Sequence, residues 1–429
     1  MNNSKKNKIS AILSIAMCLS LFTGCSDKND TNQSEASTAA TSLNAVTTEQ
    51  IIDDNVVDPS VIFNLEEGVT NKMYNRSLLN TGNQARLKAA MKKASNGESI
   101  TVGVIGGSIT QGSSSSSTQS SYAGRFHSWW TQKFPNSEIN FVNAGIGGTD
   151  SYLGVHRVDK QLLEYNPDVV IVEFSVNDSE KLFNKYSYDS LVRKILNADT
   201  SPAVILLFTT QENGTNLQDV HMEIGSAYDL PMLSYREAVY PEVVAGTINW
   251  KDISPDNIHP NDKGHEIIGQ IISKYLDSVY DNLDNISDDI TFDTKAFTSD
   301  YYVNADFYGS SSVNAASMDG FEISGNKLYP QFSDNWATTA GGTITFDIKC
   351  RNFGVFFART TDGKSGSFEV YVDGERKAVL DGDFTGGWGN YGYAQRVTLG
   401  NETEMHNIVI KPAEGSEDKA LTILALMLS

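Results

Sequence analysis

The chain has 429 residues, which is more than one ordinary hydrophobic core requires, so we expect two domains with additional segments. Its content of 40% hydrophobic and 20% charged residues is typical of a soluble globular protein. Three of the 33 basic residues and none of the 53 acidic ones precede residue 25, so the remainder has 53 acidic and 30 basic residues, a net charge of −23. This charge repels phosphate backbones and anionic headgroups, which argues against nucleic acid as a partner and leaves neutral glycans open.

The first 25 residues have the pattern of an export signal. A basic start is followed by the apolar segment "AILSIAMCLSLF", which is short for a membrane span, and by "LFTGC". This end resembles a bacterial lipoprotein signal, in which cleavage leaves the cysteine as a lipid-modified N-terminus. We therefore expect a signal peptide over 1–24, lipidation of Cys25, and an extracellular protein that meets the membrane only through its lipid. An uncleaved anchor helix is the alternative.

The segment 25–55 is polar and lacks periodicity, which predicts a disordered tether. Cys18 would leave with the signal and Cys25 would carry lipid, so Cys350 has no partner for an intramolecular disulfide. Because Cys350 ends the alternating run "TITFDIKC", we expect a buried thiol on a strand.

Residues 56–285 alternate between strand and helix patterns. Buried strands are predicted at "ITVGVIG", "INFVNAGI", "DVVIVEFSV" and "AVILLFTT", with amphipathic helices between them and a last helix at "GHEIIGQIISKYLDSVY". Strands separated in this way pair in parallel, with crossover helices on both faces. The sequence predicts a three-layer, doubly wound α/β domain whose site lies at the carboxyl ends of the strands.

Residues 290–429 consist of short β-rich segments. The Asp-Gly pair in "VDGE" favours a tight hairpin, and the whole segment predicts an all-β sandwich of the jelly-roll type. In the glycine-rich stretch "GGWGNYGYAQR", the rings of Trp388, Tyr391 and Tyr393 either stack on sugar rings or cap the sandwich core.

Ser108 follows the first strand in "VGVIGGSITQG", where two glycines allow a sharp turn. The string lacks the second glycine of the G-x-S-x-G elbow, and no phosphate-loop GK[ST] follows. Ser108 alone is therefore either a nucleophile or a turn hydroxyl beside the serine-rich loop 113–121, which we expect to be a mobile rim.

A nucleophilic serine needs a base, and His259 is the strongest candidate of six histidines. Pro260 holds it out of helical geometry, and Asp256, three residues earlier, could reach its Nδ1 and fix the tautomer. We interpret four of the other histidines as structural: His127, His156, His221 and His406.

The same loop allows a metal-binding interpretation. Asp256, His259, Asp262 and His265 recur every three residues, but Pro260 interrupts the helical face that they would share. The loop also lacks the cysteines or third histidine common in zinc sites. We therefore expect no metal and no organic cofactor.

Candidate oxyanion donors follow the next two strands. "NAGIGGTDS" offers the N–H groups of Gly147 or Gly148, and "EFSVNDS" offers the side-chain amide of Asn177. Each alone could belong to a turn or cap. Serine, glycine and asparagine at three consecutive strand ends, together with Asp-x-x-His in a late loop, form a set that suits acyl transfer.

In order and spacing, this set resembles the SGNH hydrolases, or GDSL-like esterases, over about residues 98–282, and "DNIHP" is its most specific block. The resemblance implies a flavodoxin-like three-layer fold with Ser108 as nucleophile, His259 as general base and then acid, and Asp256 as its orienting partner. It also implies an oxyanion hole formed by the N–H groups of Ser108 and Gly148 with Asn177.

The first block departs from Gly-Asp-Ser-Leu, because Gly107 replaces Asp and Ile109 replaces Leu. "GGSIT" is similar to that block in some bacterial SGNH carbohydrate esterases, and the β domain looks like a carbohydrate-binding module. The resemblance thus implies a serine esterase that removes O-acetyl groups from polysaccharide of the xylan or mannan type. The alternatives are a lipase or thioesterase, a peptidoglycan O-acetylesterase, and a glycan-capture lipoprotein without activity.

Overall fold

The computed structural model describes residues 57, 64 and 66–429. The predicted signal peptide 1–24, lipidation site Cys25 and tether 25–55 lie outside the described residues. Within the described part, no helix is both long and apolar enough to cross a membrane.

The first sheet has six strands. They are β1 Leu78–Asn80, β2 Ile100–Gly106, β3 Ile139–Gly145, β4 Val169–Glu173, β5 Ala203–Phe208 and β6 Met232–Ser234, in the order β1-β6-β5-β4-β2-β3. The four predicted strands are confirmed as β2 to β5 and are parallel, as is β6, whereas β1 runs antiparallel to β6. β1 and β6 could not be recognised from the sequence, because three residues are too few to show a period.

The helices of this part are α1 Asn71–Ser77, α2 Ala85–Ser95, α3 Ser108–Gln111, α4 Tyr122–Lys133, α5 Ser151–Gln161, α6 Lys181–Leu196, α7 Gln218–Ala227, α8 Tyr235–Ala245, α9 Trp250–Ile253 and α10 Asp262–Tyr280. Capping explains where the last of them begins. Pro260 disfavours helical geometry in the residue before it, so the helix cannot begin earlier. The Asn261 side chain caps the helix by accepting hydrogen bonds from the N–H groups of Lys263 and Gly264.

Alternate residues of β4 face opposite sides of the sheet. Val169 and Ile171 belong to a core that α4 and α10 cover, and Val170 and Val172 belong to a second core that α5 and α6 cover. The predicted α/β domain with helices on both faces of a parallel sheet is therefore confirmed.

The C-terminal part consists of β-strands and loops with a 3₁₀ turn at Pro330–Phe332, and the predicted all-β class is confirmed. Its strands are β7 Asp306–Tyr308, β8 Ser317–Asp319, β9 Glu322–Ser324, β10 Asn335–Thr338, β11 Thr343–Arg359, β12 Ser367–Val372, β13 Glu375–Asp381, β14 Tyr391–Pro412 and β15 Leu421–Leu428. All pairings are antiparallel along the path β13-β12-β14-β11-β15-β10-β9. The predicted hairpin joins β12 to β13, with Asp373 and Gly374 at φ values of 52° and 82°.

The two parts share a core. On β11, Phe357 points into the β domain, whereas Phe356 packs into the second core of the α/β domain, together with Met427 of β15. The apolar run "FGVFFAR" is thus buried on both faces. Cys350, on the same strand, is a free and buried thiol, as predicted.

Candidate active site

Ser108 is the first residue of α3, directly after β2, with Gly107 as the preceding cap residue. A Cβ atom added at Gly107 would lie only 2.1 Å from Oδ1 of Asn177. Glycine at this position therefore allows the Asn177 amide to lie beside the serine. A larger side chain at position 107 would displace that amide from its place in this structure.

The predicted Ser-His-Asp set is brought together in space. Oγ of Ser108 lies 2.9 Å from Nε2 of His259, and Nδ1 of His259 lies 2.8 Å from Oδ2 of Asp256. With the Nδ1 proton donated to Asp256, the Nε2 lone pair faces the serine hydroxyl and can accept its proton.

Backbone contacts fix the Asp256 carboxylate. Its Oδ1 accepts the N–H of Ile258 at 2.8 Å and that of His259 at 2.7 Å. Burial acts to raise the pKa of Asp256, but the hydrogen bonds from His259 and Ile258 outweigh it, so this pKa lies below its ordinary value. The loop itself is held by Ser254, whose Oγ lies 2.8 Å from the Asp256 carbonyl oxygen and 2.7 Å from that of His259.

Two of the four residues weighed for a metal site hold the serine-rich loop instead. Asp262 accepts the Ser116 N–H at 2.7 Å and its hydroxyl at 2.6 Å. His265 accepts the Tyr122 N–H at Nδ1 and faces the Ser113 carbonyl with Nε2, so it connects both ends of the loop to α10. Burial lowers the pKa of His265 to about 4. No group of three or more His, Cys, Asp or Glu side chains that could hold a metal ion occurs in the described part of the chain.

The two candidate glycines differ in how their N–H groups are used. That of Gly147 donates to Oε1 of Gln111 at 2.8 Å, whereas the N–H of Gly148 has no hydrogen-bond partner among the described residues. Gly148 has φ +73°, a conformation that favours glycine. Of the two glycines, only Gly148 therefore has an N–H that could receive an oxyanion. It lies in the loop that follows β3, and the end of β3 pairs with the end of β2, which precedes Ser108.

The predicted aromatic residues of the β domain lie next to this glycine. A Cβ atom at Gly148 would be 3.4 Å from both the Trp388 and Tyr391 rings, whose centroids are 4.7 Å apart. Trp388 is 71% exposed, Tyr393 is 41% exposed, and Tyr391 is buried. Tyr329, which the sequence did not single out, donates its hydroxyl to the Gly147 carbonyl. The β domain thus forms one side of the site.

Buried charged residues are hydrogen-bonded to the strand ends beneath the site. No sequence pattern singles these residues out. Arg157 donates to the carbonyl groups of Ala144 at 2.6 Å and Gly106 at 3.0 Å, which joins the ends of β3 and β2. Glu173, at the end of β4, accepts from Thr209 at 2.7 Å and from Thr110 of α3 at 3.4 Å. Complete burial raises the pKa of Glu173 to about 7, although these hydrogen bonds act to lower it.

Known proteins resemble this chain in sequence and in fold. A model of the GDSL-like lipase/acylhydrolase family matches residues 104–267. A two-domain esterase active on acetylated mannans, crystallised with mannopentaose, is 32% identical and superposes with a TM-score of 0.77 over 83% of this chain and 97% of its own. Another structure of a two-domain esterase with this activity gives a TM-score of 0.75 at 32% identity, over 83% of this chain and 98% of its own.

A curated relative is Thioesterase 1/protease 1/lysophospholipase L1 of Escherichia coli strain K12, which is 25% identical over 148 residues, or 33% of this chain and 68% of that protein. The chain belongs to the GDSL-like lipase/acylhydrolase family. It is an ester-hydrolysing enzyme with an SGNH-type α/β domain followed by an all-β domain.

Proposed function

We propose that this protein is a lipid-anchored surface serine esterase that removes O-acetyl groups from a polysaccharide, with mannan preferred over xylan. The observation that carries the proposal is the continuous contact from Asp256 through His259 to Ser108, beside an aromatic wall that the second domain supplies. The preference for mannan rests on similarity to the two-domain esterases active on acetylated mannans.

The reaction proceeds in two steps. His259 Nε2 takes the Ser108 proton as Oγ attacks the acetyl carbonyl carbon, and Asp256 stabilises the imidazolium that forms. The negative charge that develops on the carbonyl oxygen is received by the N–H groups of Ser108 and Gly148 and by the Asn177 amide, each such donor being worth roughly 10²–10³ in turnover. The tetrahedral species collapses to acetyl-Ser108, and His259 returns the proton to the departing sugar oxygen.

In the second step a water molecule replaces the sugar. His259 takes a proton from the water, whose oxygen attacks the acetyl carbon, and the same donors receive the oxyanion. Collapse breaks the bond to Ser108 Oγ, which regains its proton from His259, and acetate leaves. The chemistry requires no cofactor.

The surroundings of the oxyanion loop are polar, which favours a sugar over a long acyl chain. A cavity of about 190 Å³, bordered by Gly148 and Asn177 but not by Ser108 or His259, has mostly polar walls, with Asp150, Gln395 and Arg396 among them. The exposed Trp388 ring offers a flat face on which a sugar ring can stack.

Acetate release from acetylated mannan, xylan, pectin and peptidoglycan, measured side by side, tests the proposal. We expect the highest kcat/KM on acetylated mannan and loss of turnover in Ser108→Ala, with folding checked by circular dichroism. Turnover that survives in Ser108→Ala would overturn the mechanism, and a preference for peptidoglycan would overturn the substrate class.

The curated relative favours a second candidate, a thioesterase or lysophospholipase. A series of p-nitrophenyl esters separates the two, because an acetylesterase is expected to be most active on the acetyl ester, whereas an enzyme of the second kind is expected to be most active on acyl chains of eight carbons or more.

The lipid anchor is tested separately. We expect labelled fatty acid to be incorporated into the full chain and lost in Cys25→Ala, and unchanged labelling would remove the lipid anchor from the proposal.

A further inference from the structure

A second Asp-His pair lies behind the candidate oxyanion hole. Oδ2 of Asp178 is 2.9 Å from Nε2 of His221, and both side chains are completely buried. The His221 ring lies flat on that of Tyr188, with centroids 3.7 Å apart and planes 4° from parallel. The pair takes no part in the mechanism given above.

Asp178 joins two loops that carry candidate oxyanion donors. It follows Asn177 directly in the loop after β4, and its Oδ1 accepts the N–H of Ser151 at 2.8 Å. Ser151 is the first residue of α5 and comes three residues after Gly148. The Asp178 carboxylate therefore accepts a hydrogen bond from the end of the loop that contains Gly148, while Asp178 itself belongs to the loop that contains Asn177.

His221 connects this carboxylate to the rest of the domain. It lies on α7, whose N-terminal end is bound to the β4 loop through the Leu217 N–H and the Ser175 carbonyl, 2.7 Å apart. Since a carboxylate only accepts hydrogen bonds at this contact, Nε2 carries the donated proton. Charge-assisted hydrogen bonds of this kind are stronger than neutral ones.

Burial of an imidazole at position 221 costs free energy that burial of an apolar side chain would not cost. Nδ1 of His221 is buried and has no hydrogen-bond partner among the described residues. An unsatisfied buried polar atom destabilises the folded chain, and an apolar side chain would avoid that penalty. The presence of histidine at this position is therefore explained by the N–H that it donates to Asp178.

We propose that Asp178 and His221 are positioning residues that hold the Gly148 N–H and the Asn177 amide at the spacing that the oxyanion requires. The inference rests on the proposed function, in which these two groups receive the oxyanion. Because such donors act at 2.7–3.1 Å, release of either loop lowers the rate of both acylation and deacylation more than it weakens substrate binding.

The test compares His221→Met with His221→Gln on p-nitrophenyl acetate. We expect His221→Met to lower kcat roughly 10- to 100-fold, since a shift of about 1 Å in a site can cost 10²-fold, with KM within about twofold. His221→Gln retains an N–H at the end of its side chain and is expected to restore most of kcat. His156→Met is the matched control, because His156 is equally buried and, among the described residues, is hydrogen-bonded to the Tyr152 carbonyl of its own helix alone, so the kcat of this variant should not change.

Asp178→Asn keeps the proposal open to refutation if His221→Met does not fold. It retains an oxygen for the Ser151 N–H and loses the charged partner of His221, so we expect kcat to fall with KM nearly constant. A folded His221→Met or Asp178→Asn enzyme with wild-type kcat would overturn the positioning role. If Ser108→Ala is inactive while these variants are fully active, only the positioning role fails; if Ser108→Ala remains active, the proposed function fails.

Discussion

Trp388 of the β domain and Gly148 of the α/β domain lie so close that a Cβ atom on the glycine would be 3.4 Å from Cη2 of the indole. The tryptophan comes 240 residues later in the chain, yet it borders the loop that offers a candidate oxyanion donor. Trp388 of the second domain is therefore close enough to the candidate oxyanion donor to contact a substrate near its reacting carbonyl group.

Trp388→Ala should separate glycan binding from chemistry. Loss of one stacking surface worth about 0.5–1.5 kcal/mol should raise KM for acetylated manno-oligosaccharides about 2- to 10-fold and leave p-nitrophenyl acetate hydrolysis unchanged. Tyr165→Ala is the control, since Tyr165 is 53% exposed and lies before β4, at the opposite end of the strands from the site. Equal losses on both substrates would contradict the stacking role.

Gly148→Ala tests the oxyanion loop. A Cβ atom strains a residue at φ +73° by about 1–2 kcal/mol and meets the Trp388 and Tyr391 rings, so the N–H should shift and kcat should fall by up to about 10²–10³-fold. Gly246→Ala imposes a similar strain at φ +76° with nothing within 4 Å, and it should lower stability without lowering kcat. If the two variants lose kcat alike, the loss comes from strain and not from the oxyanion loop.

Glu173→Gln should change how stability depends on pH. The folded chain holds the Glu173 proton up to about pH 7, whereas the unfolded chain releases it near 4.5. Stability contributed by this group therefore falls as pH rises from 4.5 to 7, by about 3 kcal/mol. Urea unfolding at pH 5 and 7.5 should show this decline in the wild type relative to Glu173→Gln, and parallel profiles would contradict it.

His265→Gln should have the opposite effect. Because the pKa of His265 falls from 6.5 to about 4 on folding, the unfolded chain takes up a proton first, and wild-type stability is lost as pH falls from 6.5 towards 4. Uptake of a proton by His265 should favour opening of the serine-rich loop, so the amide protection factors over 113–121, corrected for the intrinsic pH dependence of exchange, should be lower at pH 5 than at pH 7. His265→Gln should not show that difference, and wild-type protection factors that are equal at both pH values would contradict the role.

The sequence was sufficient to bring Ser108, His259 and Asp256 together as candidates, for two reasons. Carboxyl ends of parallel strands converge on one edge of a sheet, and a short loop constrains an Asp-x-x-His pair. The role of Trp388 could not be decided, because no local pattern tells which face of the α/β domain the second domain covers.

Other features depend on contacts distant in sequence. No local pattern links Asp178 to His221, 43 residues later, which the sequence indicates only as a structural histidine; only their burial against each other makes them a pair. The serine-rich loop was expected to be a mobile rim, but Ser116 and Asp262, 146 residues apart, are hydrogen-bonded to each other. Low-complexity composition predicts mobility only where no such partner exists.

The shared core also limits how this enzyme can be recombined. Phe356 and Met427 belong to the same core as Leu153 and Leu191, so the β domain is not an independent module. In a chimaera that joins this β domain to another catalytic domain, the two faces of that core would not match. Exchange of the β domain therefore requires exchange of the matching faces of α5 and α6.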